Sequence, residues 1–130
     1  MTHYLKLFLH QVDWDYFASD IHSICGALKQ YFRDLPECLL TDNLFDAWLE
    51  VAQKLQTQIS EGGGGEGGGP PELDLSLVSD LLYQLPKCNF INLRYLIKFL
   101  QELTKHSDSN KMTATNIAIV MGGNLLWRQG

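Results

Sequence analysis

Arginine is absent from residues 1–32 of this chain, and the first is Arg33. Long apolar runs are missing too. No stretch approaches the roughly 18 apolar residues that a membrane-crossing helix needs, so no transmembrane segment is expected. The run Tyr4-Leu5-Lys6-Leu7-Phe8-Leu9 is short, is split by Lys6 and has no cleavage-like site after it, which is unlike a signal peptide. There is no Asn-x-Ser/Thr acceptor and no Cys-x-x-Cys spacing. The three cysteines, Cys25, Cys38 and Cys88, are odd in number, which argues against a disulfide framework. Each reads as a small buried hydrophobe, and together they favour a reducing compartment. A soluble, cytoplasmic protein is expected. Net positive charge is lacking, with 10 Lys/Arg against 15 Asp/Glu and a formal charge of −5. That balance opposes general nucleic-acid binding. Alternating apolar and polar runs of useful length are also absent, so a β-sheet fold is not expected.

What is present suits one domain. The chain has 130 residues, 45% hydrophobic and 19% charged, enough for a single, small core. Charge is unevenly spread. Residues 1–85 hold four Lys/Arg and thirteen Asp/Glu, giving −9, while residues 86–130 hold six and two, giving +4. The basic part could face an acidic protein surface, although solvated helix faces explain such runs equally simply.

Apolar spacing predicts a series of helices. Leu5, Leu7, Phe8 and Leu9 suggest a short one, with 12–17 as a connection. Ser19 or Asp20 can cap the next, in which Ile21, Ile24, Cys25, Leu28 and Phe32 recur at helical spacing. Pro36 stops it, because its ring fixes φ and it has no N–H to donate. Another begins near Thr41 or Asp42, either of which could cap it. Its stripe is Leu44, Phe45, Trp48, Leu49, Ala52 and Leu55, and it fades near Gln58. Residues 60–71 contain seven glycines and end in Pro70-Pro71. Each glycine costs about 1 kcal/mol in a helix relative to alanine. The segment is therefore expected to be a flexible surface insertion within one domain, since closing a long loop costs only ~0.6 kcal/mol per doubling of length. Beyond it, Leu75, Leu77, Val78, Leu81 and Leu82 mark a helix ended by Pro86. The next is expected from about Asn89 to His106, with Phe90, Leu93, Leu96, Ile97, Leu100 and Leu103 inward. Ser107 to Asn110 reads as a turn. Thr113 can cap a final helix with Ile117, Val120 and Met121 inward, ended by Gly122-Gly123. The expected fold class is all-α, packed around one core.

Few residues suggest chemistry. His106, Ser107 and Asp108 are the types of a hydrolase triad, but neighbours in sequence rarely converge as nucleophile, base and orienter, and a helix-ending turn explains them. His22 and Cys25 lie three apart, yet two ligands do not make a zinc site, so no metal is expected. The glycine run is not followed by Lys-Ser/Thr, so it is no phosphate-binding loop, and no cofactor is expected. Lys29 and Arg33 stand four apart on one helix face. Like charges at that spacing repel modestly unless an anionic group sits between or beside them, and Asp34 and Glu37 could supply one.

Two blocks change that balance. The first is Lys29-Gln30-Tyr31-Phe32-Arg33-Asp34-Leu35-Pro36-Glu37. The second runs Asn110-Lys111-Met112-Thr113-Ala114-Thr115-Asn116-Ile117-Ala118 and ends Asn124-Leu125-Leu126-Trp127. With Leu85-Pro86 and Leu93-Arg94-Tyr95-Leu96 between them, they resemble the RhoGAP family of Rho GTPase activators. The stretch Asn89 to Leu100 looks most like the nadrin-type RhoGAPs that also carry BAR domains. Cys38 and Gly123 stand where the family usually has proline; losing a compatible proline loosens the unfolded chain and costs ~0.4–1 kcal/mol, which should soften these loops without abolishing the fold.

The resemblance implies a RhoGAP-like helical bundle, truncated at both ends, with a Gly-rich insertion. The residue at the place of Lys29 contacts the GTPase, as does that at the place of Asn116. The arginine at the place of Arg33 supports the loop that presents the catalytic arginine. The plainer alternative for Asn116 is an amide capping or bridging helix ends. The finger itself is expected upstream of Met1, so no catalytic residue is assigned within the chain. The implied partner is a Rho-, Rac- or Cdc42-type GTPase in its GTP-bound state, with the parent protein attached to membranes through other domains. The chain would be a regulator and not an enzyme: the docking part of a GTPase activator without its arginine finger. The alternative is a catalytically inactive RhoGAP-like module that binds GTPases or scaffolds signalling complexes.

Overall fold

The computed structural model describes residues 21–62 and 73–129. The apolar segment near the N-terminus, the cap at Ser19 or Asp20 and most of the Gly-rich stretch lie outside the described residues. The described elements are α1 (Ile21–Arg33), a 3₁₀ turn (Asp42–Leu44), α2 (Phe45–Gly62), α3 (Ser76–Gln84), α4 (Lys87–Thr104), α5 (Ser107–Asn110) and α6 (Ala114–Leu125). No strand occurs among the described residues. The protein is all-α, as its apolar spacing requires.

Helix α1 stops at Arg33, before Pro36 is reached. One further helical bond forms, from the Asp34 N–H to the Gln30 carbonyl at 2.9 Å. The residue preceding a proline is pushed out of the α region, so the helix cannot run to the ring itself. Phe32 in its last turn is 1% exposed.

The entry into α2 differs from expectation. Thr41 makes no capping bond and has φ 68°, a left-handed conformation that is strained for a β-branched residue. The first free N–H is met from another direction, because Glu37 Oε1 accepts from the Asp42 amide at 2.8 Å. Asp42 turns back instead, with its Oδ1 3.9 Å from the Cys38 thiol. Helix α2 then continues past Gln58 to Gly62. Thr57 and Ser60 bond back to the carbonyls of Gln53 and Gln56. Of its stripe, Trp48 is half-buried and Leu49 and Ala52 are exposed, while Val51 is the buried residue of this helix.

Helix α3 follows Asp74, whose Oδ1 accepts from the Ser76 amide at 3.0 Å. Leu75 precedes this helix and is exposed; Leu81 is its buried anchor. Helix α4 begins directly after Pro86, two residues earlier than expected, because that proline holds φ at −52° and is pre-organised for helix entry. Leu93, Leu96 and Leu100 are buried, but Ile97 is 51% exposed. Ser107–Asn110 closes into one helical turn. It is ended by Lys111 at φ 60°, whose N–H reaches the Ser107 carbonyl.

Helix α6 is capped as expected, with the Thr113 hydroxyl accepting from the Asn116 amide at 3.2 Å. It is not ended by Gly122-Gly123 and runs through to Leu125. Two interior glycines weaken a helix by about 1 kcal/mol each. Buried Asn124 and Leu125 immediately beyond them hold the turn in place. Val120, expected inward, is 41% exposed. The core joins Leu28 and Phe32 of α1 and Leu39 of the connection to α4 and to Ile117, Met121 and Leu125 of α6. Of the cysteines, only Cys38 is buried; Cys25 and Cys88 are exposed.

Candidate functional site

Helices α1 and α6 pack together, so the blocks holding the two signature patterns meet although they are far apart in sequence. Three contacts fasten them. Arg33 Nε donates to Asn124 Oδ1 at 2.6 Å. The Leu40 amide donates to the Leu125 carbonyl at 3.2 Å. The buried Cys38 thiol lies near the Trp127 backbone N–H. Burial pushes the Cys38 thiol above its usual value, partly opposed by that N–H. Around the clamp, the indole of Trp48 donates to the Leu40 carbonyl at 3.0 Å, and Asn89 Nδ2 donates to the Leu39 carbonyl at 2.9 Å. The connection between α1 and α2 is thereby tied to α2, α4 and the end of α6.

Lys29 and Arg33 lie one turn apart on α1; Lys29 is half-buried and Arg33 exposed. Their expected neutralisation by neighbouring carboxylates does not occur. Asp34 accepts from Gln30 Nε2 at 2.6 Å, and Glu37 is used at the start of the 3₁₀ turn. Among the described residues, the ion pairs are Lys54–Glu50, Lys105–Glu102 and Arg128–Asp46. Two cations on one face thus keep their charge available, at a spacing where they repel modestly.

Asn116 sits exposed in the first turn of α6. Its Nδ2 donates to the Lys111 carbonyl at 2.8 Å, bridging the left-handed residue that ends α5. The bridging role therefore exists, and the Asn116 Oδ1 accepts no hydrogen bond among the described residues. Asn116 lies eight residues, or about 12 Å of helix rise, before Asn124. No hydrogen bond joins Lys29, Arg33 and Asn116 to one another among the described residues; α1, which carries the first two, packs on α6, which carries the third. An open cleft of 350 Å³ is lined by Glu37, Thr41, Asn43, Leu44, Gln84 and Pro86. None of the three lines it.

Two further arginines are accounted for differently. Arg128 stays exposed, 3.3 Å from Asp46 Oδ2 and 4.3 Å from the centre of the Phe45 ring. Arg94 is exposed on α4. Asn124 escaped sequence reasoning as an individual residue. Its partner is 91 positions away, and no helical periodicity can display such a pair.

A family model for the RhoGAP domain matches residues 2–130. Rho GTPase-activating protein 17 of Homo sapiens is 47% identical over 113 residues, 87% of this chain and 11% of that protein. SH3 domain-binding protein 1 of Mus musculus is 45% identical over 111 residues, 85% of this chain and 14% of that protein. Rho GTPase-activating protein 44 of Homo sapiens is 43% identical over 118 residues, 91% of this chain and 13% of that protein. The chain thus spans only a small part of the curated relatives it matches.

Proposed function

The chain belongs to the RhoGAP domain family, and from that membership we propose that it is the docking part of a GTPase activator for Rho-family small GTPases. The observation that carries this is the pair Lys29 and Arg33, uncompensated by any described carboxylate and presented beside the α6 block that holds Asn116. In this reading Lys29 contacts the GTP-bound GTPase. Asn116 offers its Oδ1, which accepts no hydrogen bond among the described residues, to the same partner while its Nδ2 holds the side chain to the Lys111 carbonyl. Arg33 supports the loop carrying a catalytic arginine.

An activator of this kind forms no covalent bond to its partner. It docks, and an arginine stabilises the charge that develops as the phosphoryl group transfers. Such fingers contribute about 10³–10⁵ in rate. No arginine precedes Arg33 in this chain, Arg33 is engaged by Asn124, and Arg128 is held by Asp46 and Phe45. In this reading the finger belongs to sequence outside these residues, and the chain by itself is a binder that stimulates hydrolysis weakly. The absence of an upstream arginine equally favours a second reading, a RhoGAP-like module that binds GTPases or scaffolds complexes without activating them.

Binding and single-turnover hydrolysis separate these readings. GTP-loaded Rho, Rac and Cdc42 proteins are titrated with the chain, with Lys29→Glu and with Asn116→Ala. Saturable binding that both variants weaken, with little acceleration of hydrolysis, supports docking. Strong acceleration would place a finger within residues 1–130. Binding untouched by either variant would move the interaction to another surface. Restoring an arginine-bearing segment ahead of the chain then distinguishes an activator from a pure binder.

A further inference from the structure

Helix α4 carries a row of cations on the side away from the core. Lys87, Ile91, Arg94, Lys98, Gln101 and Lys105 follow one another in alternating steps of four and three residues, which stacks them on one helix face. All six are exposed. Lys105, the residue that closes the helix, keeps helical backbone angles. Leu93, Leu96 and Leu100, which enter the core, lie on the opposite side. From Lys87 to Lys105 the row runs about 27 Å at the helical rise. It gathers four of the chain's ten Lys/Arg and none of its fifteen Asp/Glu, in a chain of net charge −5. Glu102 stands beside the row and pairs with Lys105 at 2.6 Å. Lys87, Arg94 and Lys98 have no ion pair among the described residues. Like charges one turn apart repel, so the row is a local cost unless an anionic surface meets it.

We propose that this face of α4 seats the domain on an anionic phospholipid surface. A straight row of charge on one helix matches a planar array of headgroups. Three of the four cations are lysines, compact point charges that suit a diffuse anionic surface. The fixed carboxylates of a protein partner would favour the planar fork of arginine. Ile91, 39% exposed, sits within the row, so an apolar side chain can enter the headgroup boundary beside the charges. The attachment lies on the membrane and does not cross it, since no described helix is long and apolar enough to span one. Thirteen of the acidic residues fall in residues 1–85. Their field fades over about 10 Å at 0.1 M salt, which leaves the row to act locally. The row faces away from the core that α4 shares with α1 and α6, so the assignment does not depend on Lys29, Arg33 or Asn116.

Vesicle co-sedimentation of the full 130-residue chain tests this. Vesicles of phosphatidylcholine alone are compared with vesicles that also hold roughly 30% phosphatidylserine. The native chain is expected to sediment with the anionic vesicles only, and to be released as salt rises. Each Lys/Arg near such a surface contributes about fivefold in affinity. Arg94→Gln combined with Lys98→Gln should therefore weaken binding about 25-fold. Lys54→Glu on α2 changes the net charge by the same amount and should stay within about twofold of the native chain, because its charge lies off the row. If the first pair does not fold, Lys87→Gln with Lys98→Gln repeats the test on the same face. A native chain that ignores the anionic vesicles, or binds neutral ones equally well, would overturn the proposal. So would an equal loss in Lys54→Glu, which would reduce the effect to net charge. Row-dependent retention on polyglutamate without vesicle binding would also overturn it, and would give the face to an acidic protein instead.

Discussion

The clamp and the α2–α3 arm are made of the same helices and the same kinds of side chain, yet they are held differently. At the clamp, Phe32, Cys38, Leu39 and Asn124 are all within 2% exposure, and polar groups from both blocks find each other. On the arm, Val51 and Leu81 are buried while Leu49, Ile59, Leu75 and Tyr83 are exposed. Its polar bonds are mostly local, as in Lys54–Glu50 and Thr57 to Gln53. An apolar stripe therefore predicts that a helix forms, but not how much of the stripe is covered. Coverage depends on how many neighbours the fold supplies. The clamp has α1, α4 and α6 around it; the arm meets mainly itself.

This contrast can be broken or sharpened by substitution. The largest effect is expected at the clamp. Phe32→Ala should lower stability by about 3–5 kcal/mol, the usual loss for a fully buried aromatic, read from urea denaturation followed by circular dichroism. Ile59→Ala on the arm, made alongside it, should move the midpoint far less, because that side chain is already 45% exposed. Equal losses would mean that the arm is more tightly packed than its exposure shows.

Next in size is the polar seam between clamp and arm. Trp48→Phe removes the indole donor to the Leu40 carbonyl and keeps most of the apolar contact. A loss of about 1 kcal/mol is expected, and no change would show that the bond does not couple the two regions.

Smaller still is the contribution of the Cys38 thiol. Burial raises its pKa above the ordinary value of 9.0, with the Trp127 N–H opposing the shift and nearby Asp42 adding to it. Below that value the thiol is protonated in both folded and unfolded states, so its contribution is fully present. As pH rises further, the unfolded thiol ionises first, and stability falls until the folded thiol also ionises. Cys38→Ala should flatten that part of the stability profile. In the folded chain at pH 8, a thiol reagent should label Cys25 and Cys88 quickly and Cys38 slowly. Three equal rates would show that the clamp opens readily.

The smallest effect is expected from Lys54→Ala. It breaks an ion pair whose side chains are 53% and 64% exposed, and pairs of that kind contribute little. A measurable shift in the denaturation midpoint would show that the arm depends on its surface charges.

Much was legible from the chain alone. Helical spacing of Leu93, Leu96 and Leu100 identified the buried side of α4, and Thr113 announced the start of α6, because both depend on neighbours within a turn or two. The i, i+4 spacing placed Lys29 and Arg33 on one face before any coordinates, and the two sequence blocks identified the family that the comparisons then established. Local rules failed where distant residues intervened. Gly122-Gly123 would stop an isolated helix, but Asn124 and Leu125 are buried beyond them. Thr41 looked like a cap, but Glu37 supplies the acceptor for Asp42 and Thr41 takes up the strained turn.

The sequence by itself determined the all-α class and the helix faces, since these follow from short-range sterics and periodicity, and it carried the paired blocks as a family resemblance. Only the tertiary structure decided which charges go uncompensated, which stripes are covered and which amide holds Arg33. Those depend on α1 meeting α6, and the physical reason is that a hydrogen bond spanning 91 residues leaves no mark on local spacing.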